Sequence, residues 1–286
     1  MSEDGIDLLI TGAGGFLGGR LRGLARARGL RVASSRDGLG RLDLETPGAT
    51  GTLVRALRPR RIVHAAAIPD IAACAAAPDL AWRVNVEASR ELARAAADLG
   101  SRLLFVSTDQ VFDGRDAPYT EDAPARPLHH YGRSKLAAET ALLELDADLL
   151  VVRLPLLLGP ARGGRRSASD QVYDAARDGR RLGLFVDEFR SPLVVEAAAE
   201  ALLDLLDRPA RGLLHLGGPE RLSRFEIGRL LLLGAGLDPD STLDPGRLAG
   251  HPLEATRPAD LGLDSARAEA WLDRVMPRIT EAIPFH

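Results

Sequence analysis

The chain is poor in the residues that small secreted folds lean on. Of its 286 residues one is cysteine, Cys74, two are methionine, and aromatic side chains make up 4%. A lone cysteine cannot close an internal disulfide, excludes a zinc site built on several thiolates, and fits a reducing cytoplasm. No apolar run approaches the ~18 residues of a membrane helix, so no span is expected. Met1–Asp7 is acidic and no basic segment precedes an apolar run, so no secretory signal is expected. With 37 basic and 40 acidic residues the formal charge is −3, which gives no global field for nucleic acid. No His/Asp/Glu cluster has metal spacing, and no Gly-x-Ser-x-Gly supports a hydrolase.

The scarcest cation is lysine. Of the 37 basic residues, 36 are arginine and one is Lys135. In a chain that uses arginine wherever a cation will do, a single lysine marks a place for a compact, titratable ammonium.

Short apolar runs alternate with amphipathic stretches through the first half. Asp7–Ile10, Arg31–Ala33, Arg61–Ala65, Leu103–Val106 and Leu149–Leu154 read as strands; Phe16–Arg28 and Val84–Leu99 read as helices. Buried strands separated by helices predict an α/β fold: a doubly wound parallel sheet, or Rossmann fold. Residues 1–160 are assigned to this dinucleotide-binding domain. Later segments near 194–216, with a helix at Glu196–Leu206 and a strand at Gly212–Leu216, return to it. Residues 161–286 are expected to form mostly a smaller, interleaved substrate lobe, and the proline-rich stretch 238–258 mostly loop.

Thr11-Gly12-Ala-Gly-Gly15-Phe16-Leu17-Gly18 joins the first strand to the first helix. Gly12 permits a tight turn, Gly15 lets backbone approach a pyrophosphate, and Gly18 lets the helix pack on the strand. The free N–H groups at the helix start favour an anion. The second strand ends Ser34-Ser35-Arg36-Asp37. Donors and a cation where NAD-binding folds usually place an acid favour NADP(H) over NAD(H); Asp37 takes a ribose hydroxyl instead if the strand end shifts by one. Tyr131 and Lys135 stand four apart at the start of a helix, hence on one face. The ammonium is expected to lower the phenol pKa, so that Tyr131 exchanges a proton with a carbonyl or alcohol. Thr108, with Ser107 as the alternative, ends the preceding strand, where a hydroxyl can hold the substrate oxygen. His129 and His130 are read as surface or supporting residues.

Together with Ala65-Ala66-Ala67, Asn85 and Ser107-Thr108-Asp109, these motifs resemble the extended short-chain dehydrogenases/reductases. Arg58-Pro59, Ser107–Phe112, Arg257-Pro258 and Leu263-Asp264 are similar to the dTDP-4-dehydrorhamnose reductase group within them. The resemblance implies Thr108, Tyr131 and Lys135 as the catalytic set. It implies Asp43 and Leu44 at the adenine, and Ala65, Ala66 and Lys135 at the nicotinamide ribose. Arg153 to Pro155 would lie near the nicotinamide, and Asp109, Gln110 and Arg190 near the substrate. The sequence departs from that group on the substrate side. Leu154–Gly159 carries no aromatic residue, alanines around Ala72 and Ala75 replace acids, and no Asn-Phe occurs in 160–170. Arg162, Arg165 and Arg166 read as a solvated loop or a diphosphate contact, with Arg190 the stronger candidate for the latter.

The expected activity is NADP(H)-dependent reduction of a carbonyl, with a nucleotide-linked sugar as one candidate substrate. The alternatives are an epimerase that retains its cofactor and a non-catalytic NADP-binding regulatory subunit. Asp109-Gln110 after Thr108, where dehydratases carry Asp-Glu, counts against dehydration. A cytoplasmic protein without nucleic-acid or membrane partners is expected, with a homodimer as the prior for its assembly.

Overall fold

The structure, a computed structural model, describes residues 5–34, 42–161 and 167–283. Six strands form one parallel sheet: β1 (Leu8–Thr11), β2 (Val32–Ser34), β3 (Arg61–His64), β4 (Arg102–Thr108), β5 (Leu149–Leu154) and β6 (Gly212–His215). Their spatial order is β2-β1-β3-β4-β5-β6. Alternate side chains feed two cores because successive Cβ atoms point to opposite faces. Leu8, Ile10, Leu104, Leu150 and Val152 meet helices α1 (Phe16–Ala27) and, far along the chain, Val195–Leu206. Leu9, Ile62, Leu103, Phe105 and Val151 meet α2 (Ala49–Leu57), α3 (Ala88–Leu99) and α4 (His130–Leu143). Both faces are covered, which is why these strands read as continuous apolar runs. The helix Val195–Leu206 becomes α5; it packs on α1, and β6 extends the sheet beyond β5.

The strand order reverses between β1 and β3. The crevice where ligands sit in such sheets therefore opens at the carboxyl ends of these two strands. The expected helix from Val84 begins instead with a π-type turn, Arg83–Glu87, before α3 proper. Such turns recur at functional sites, and this one carries Asn85.

The second half is more regular than its sequence pattern. Helices Ala168–Arg177 and α6 (Arg224–Gly234) each start with a capping box, Ser167/Asp170 and Ser223/Glu226. They enclose a third core of Leu158, Val172, Ile227, Leu231 and Ile279. The stretch expected as loop at 238–258 holds a strand, Leu243–Gly246, paired in parallel with Leu182–Phe185. That pairing spans 61 positions from Leu182 to Leu243 and includes Pro245, so no local periodicity announces it. Among the described residues no helix is long and apolar enough to cross a membrane.

Helix α4 carries Tyr131 and Lys135, and its placement depends on one glycine. A Cβ on Gly132 would lie 2.2 Å from the carbonyl oxygen of Gln110 and 2.8 Å from Cβ of Pro127. Gly132→Ala is expected to lower stability by about 1–3 kcal/mol, the usual cost of overpacking. An unchanged urea midpoint would show that α4 is free to shift.

Candidate active site

A cleft of about 1200 Å³ runs along the carboxyl ends of β1, β3 and β4. Its floor is the glycine turn. Gly12 has φ +73°, and a Cβ there would lie 2.8 Å from the backbone of Ala65 and Ala66. A Cβ on Gly18 would stand 2.1 Å from the Gly12 carbonyl oxygen. These two contacts bring turn, helix and the loop after β3 together with backbone at the surface. The first turn of α1 has neither a side-chain cap nor an acid, so its N–H groups are open to an anion. Gly12, Gly15, Phe16, Leu17 and Gly18 all line the cleft.

Asp43 and Leu44 line one end with Leu42 and Glu45. The Asp43 carboxylate accepts from Glu45 N at 2.9 Å and Thr46 Oγ1 at 2.8 Å. Ala65, Ala66 and Ala67 line the opposite wall with Ile68. Ser35 and Arg36, on which the choice between NADP and NAD turned, lie outside the described residues with Asp37. So do Arg162, Arg165 and Arg166.

Polar groups hidden behind the wall hold it. Asn85 accepts from Ile68 N at 2.8 Å and donates to Ile68 O at 3.1 Å and Ser134 Oγ at 3.0 Å. It does not line the cleft but clamps the loop that does. His64, absent from the sequence reading, bridges Thr11 Oγ1 at 2.6 Å and Ser89 Oγ at 2.9 Å. Ser89 spends its proton on Asn85 O at 2.8 Å, so His64 Nε2 donates to Ser89 and Nδ1 accepts from Thr11. Burial drives this imidazole down to about 3, with the Lys135 charge adding to the effect. It is therefore neutral. A histidine inside the apolar run Ile62-Val63-His64 was the available signal.

At the inner end stand Val106, Ser107 and Thr108 of β4 with Tyr131 and Lys135 of α4. His129 is the α4 N-cap: its Nδ1 accepts from Gly132 N at 3.1 Å and its Nε2 meets Gln110 Oε1 at 3.0 Å. Lys135 is 3% exposed. Its ammonium donates to Val106 O at 2.7 Å and lies 3.9 Å from the Phe105 ring centroid. Burial pushes it down to about 7, against the opposing charge of Glu139. The Tyr131 phenol is raised above its ordinary value, first by burial, while a hydrogen bond with Thr108 works the other way. The expected lowering by Lys135 is thus not found. Burial is the largest cause, the charges of Asp109 and Glu139 push the same way, and the ammonium is engaged on the Val106 carbonyl.

The two strand-end hydroxyls are now distinguishable. Ser107 donates to Glu139 Oε1 in a short bond and has no second proton for a carbonyl oxygen. Thr108 accepts from Gln110 N at 3.2 Å and donates only across a long contact to Asp109 Oδ1, 3.3 Å, and it interacts with Tyr131. Glu139 is also held by Arg153, at 2.6 Å in the closest contact. Arg153 therefore faces into the protein and does not line the cleft, unlike Leu154 and Pro155; its expected place at the nicotinamide is corrected to a buried ion pair.

Asp109, Gln110 and Arg190 also stay out of the cleft. Gln110 is taken up by His129 and, at 3.3 Å, by Asp109. Arg190 is buried, donating to Glu188 Oε1 at 2.6 Å, Phe189 O at 2.6 Å and Pro258 O at 3.3 Å. Arg257 binds the other Glu188 oxygen at 2.7 Å. Arg190 is thus a strut in a salt-linked cluster, not an open diphosphate contact. Burial raises Asp109 to about 6, against the pull of Arg190. Its Oδ2 and Arg224 Nε are the buried side-chain atoms without a hydrogen-bond partner among the described residues. No group of three or more metal-ligating side chains occurs among those residues.

Removing the Asn85 clamp tests how the wall is held. Asn85→Ala leaves Ile68 N–H unpaired, while Ile68 C=O keeps the Cys74 thiol, and is expected to cost about 1–3 kcal/mol in urea unfolding. A loss well under that range would assign the loop's position to its other contacts, the packing on Gly12 and the bonds from Ala66 N to Thr11 and from Cys74 to Ile68 O.

Comparison with known proteins gives a consistent result. The RmlD substrate binding domain family matches residues 6–285. Methionine adenosyltransferase 2 subunit beta of Xenopus laevis is 32% identical over 275 residues, covering 91% of this chain and 81% of that protein. The dTDP-4-dehydrorhamnose reductase of Mycobacterium tuberculosis is 33% identical over 267 residues, covering 90% and 84%. The crystal structure of the Bacillus anthracis dTDP-4-dehydrorhamnose reductase, in complex with NADP, shares the fold at a TM-score of 0.86, with 24% identity and coverage of 97% and 96%. With a glycine-floored crevice at the strand-order reversal and a family match along nearly its whole length, the chain belongs to the RmlD substrate binding domain family.

Proposed function

We propose that the protein is an NADP(H)-dependent reductase of a carbonyl group, with the keto group of a nucleotide-linked sugar as its substrate class. One observation carries the reading: Thr108, Tyr131 and Lys135 converge at the inner end of a cleft floored by backbone. The residues present fit a dinucleotide. Gly12 and Gly18 leave no space for side chains between turn and helix, and the uncapped start of α1 offers N–H groups to a diphosphate. Asp43 and Leu44 would flank the adenine, and Ala65, Ala66 and Lys135 the nicotinamide ribose. The phosphate-bearing ribose would meet Ser35 and Arg36 by sequence position. When bound, the cofactor supplies the hydride.

The chain's own residues handle the proton. Thr108, whose hydroxyl is less committed than that of Ser107, holds the substrate oxygen. Tyr131 donates its proton to that oxygen as the carbonyl is reduced; a phenol raised by burial is protonated at neutral pH, and the basic alkoxide that hydride addition creates draws the proton from it. Lys135 supplies positive charge beside the phenolate that remains. The relative from Mycobacterium tuberculosis supports reduction of a dTDP-linked keto sugar, and the Bacillus anthracis protein supports NADP.

A second reading has its own observation. The similarity to methionine adenosyltransferase 2 subunit beta is nearly equal in identity and extent, which favours a regulatory subunit that binds NADP without turnover. The Tyr131–Lys135 pair weighs against it. Oxidation of NADPH with dTDP-4-dehydrorhamnose separates the two. Turnover is expected, and Tyr131→Phe is expected to lower kcat by roughly 10²–10⁴-fold, the usual contribution of a positioned acid. Tight NADPH binding without turnover of any keto sugar nucleotide would favour the regulatory role. Equal turnover by Tyr131→Phe would remove the phenol from the mechanism.

A further inference from the structure

Glu139 lies one helical turn beyond Lys135 on α4 and two beyond Tyr131, so the three side chains follow one face. It is a charged residue with almost no solvent contact; the side chains of Arg153 and Glu139 are 4% and 2% exposed. Its carboxylate is held from two strands. Arg153 of β5 donates to Oε1 at 3.0 Å and to Oε2 at 3.1 and 2.6 Å, and Ser107 of β4 donates to Oε1. Arg153 is fixed in turn, 4.9 Å from the Phe112 ring centroid and 3.3 Å from His215 Nε2.

Few charges face the Lys135 ammonium. Tyr131 and Glu139 share its helix. His64 faces it from β3 and is neutral, its proton donated to Ser89. Arg153 stands behind Glu139 on β5. Asp109 and Cys74 act on Tyr131. Glu139 is thus ion-paired with Arg153, and its charge also reaches Lys135 one helical turn away. An ammonium with so little water is favoured as the neutral amine unless an anion opposes that.

We propose that Glu139 is the counter-charge that keeps Lys135 protonated inside the fold, with Arg153 and Ser107 holding its carboxylate in place. It is a positioning residue, because it acts through Lys135 and reaches no reacting atom. Its catalytic meaning rests on the reading of Tyr131 and Lys135 given above; its effect on Lys135 does not. Consistent with this role, Glu139 is the group that offsets burial in the titration of Lys135.

Lys135 is the sole lysine, so the full chain labelled with [ε-¹³C]lysine gives one side-chain resonance, which can be titrated without substrate or cofactor. The native midpoint is expected near 7. Glu139→Gln is expected to lower it by about one unit or more and to move the alkaline limb of kcat down with it. Glu139→Asp, which keeps the charge, should restore the native midpoint. Because Glu139→Gln strands a buried Arg153, the double variant Glu139→Gln/Arg153→Met provides a chain without that unpaired cation, and a downward shift smaller than that of Glu139→Gln is expected, because a cation is removed with the anion. A native midpoint in either variant overturns the proposal, as does Glu139→Asp shifting as far as Glu139→Gln. If instead Tyr131→Phe turns over normally while Glu139→Gln still shifts the resonance, the counter-charge stands and the proposed reaction falls.

Discussion

An ammonium almost without water sits at the inner end of the cleft, and much of the surrounding structure is arranged around it. Lys135 finds a carbonyl on β4, an aromatic face on Phe105 and a carboxylate one turn along its own helix. Two of these partners are neighbours on β4, Phe105 and Val106, and the third is on α4 itself. Ser107 and Arg153 are directly paired neighbours on β4 and β5, and both reach the same Glu139. The sheet register, the position of α4 and the ionisation of Lys135 are therefore linked: a shift in one would break the hydrogen bonds of the others.

The opposite end of the cleft obeys a steric constraint. At Gly12 and Gly18 backbone meets backbone with no room for a Cβ. The strand-order reversal creates a crevice between β1 and β3, and these contacts close its base while leaving N–H groups outward. The line of hydrogen bonds through Thr11, His64, Ser89 and Asn85 fixes the wall above them. None of these four side chains needs to ionise. They are satisfied neutral groups, the form in which buried polar residues cost least.

The substrate side has a different character. Where the reductase group was expected to offer polar contacts, Glu188 joins Arg190 and Arg257 in a closed ionic cluster. Asp109 lies against it with one oxygen unpaired. A buried ion pair owes its existence to complete hydrogen bonding more than to net stability, so this cluster is a specification of shape. It accompanies the all-aliphatic run Leu154–Leu158, which gives that rim of the cleft no aromatic surface.

The sequence by itself determined the sheet, the glycine turn and the Tyr131–Lys135 pair, because each rests on short-range rules: apolar runs, positive-φ turns and helical spacing of four. It also marked Lys135 by composition alone. Tertiary structure decided where the polar side chains turn. Asn85, Asp109, Gln110, Arg153 and Arg190 sit at the expected chain positions, yet their side chains bind other protein groups and not the cleft. Glu139 and His64 carried no motif, since their partners lie up to 53 positions away, as with Thr11 and His64. The lowering expected for Tyr131 failed for the same reason. Spacing placed an ammonium near a phenol, but only the packed fold sets how much water either one loses, and that desolvation is the largest cause of the raised phenol.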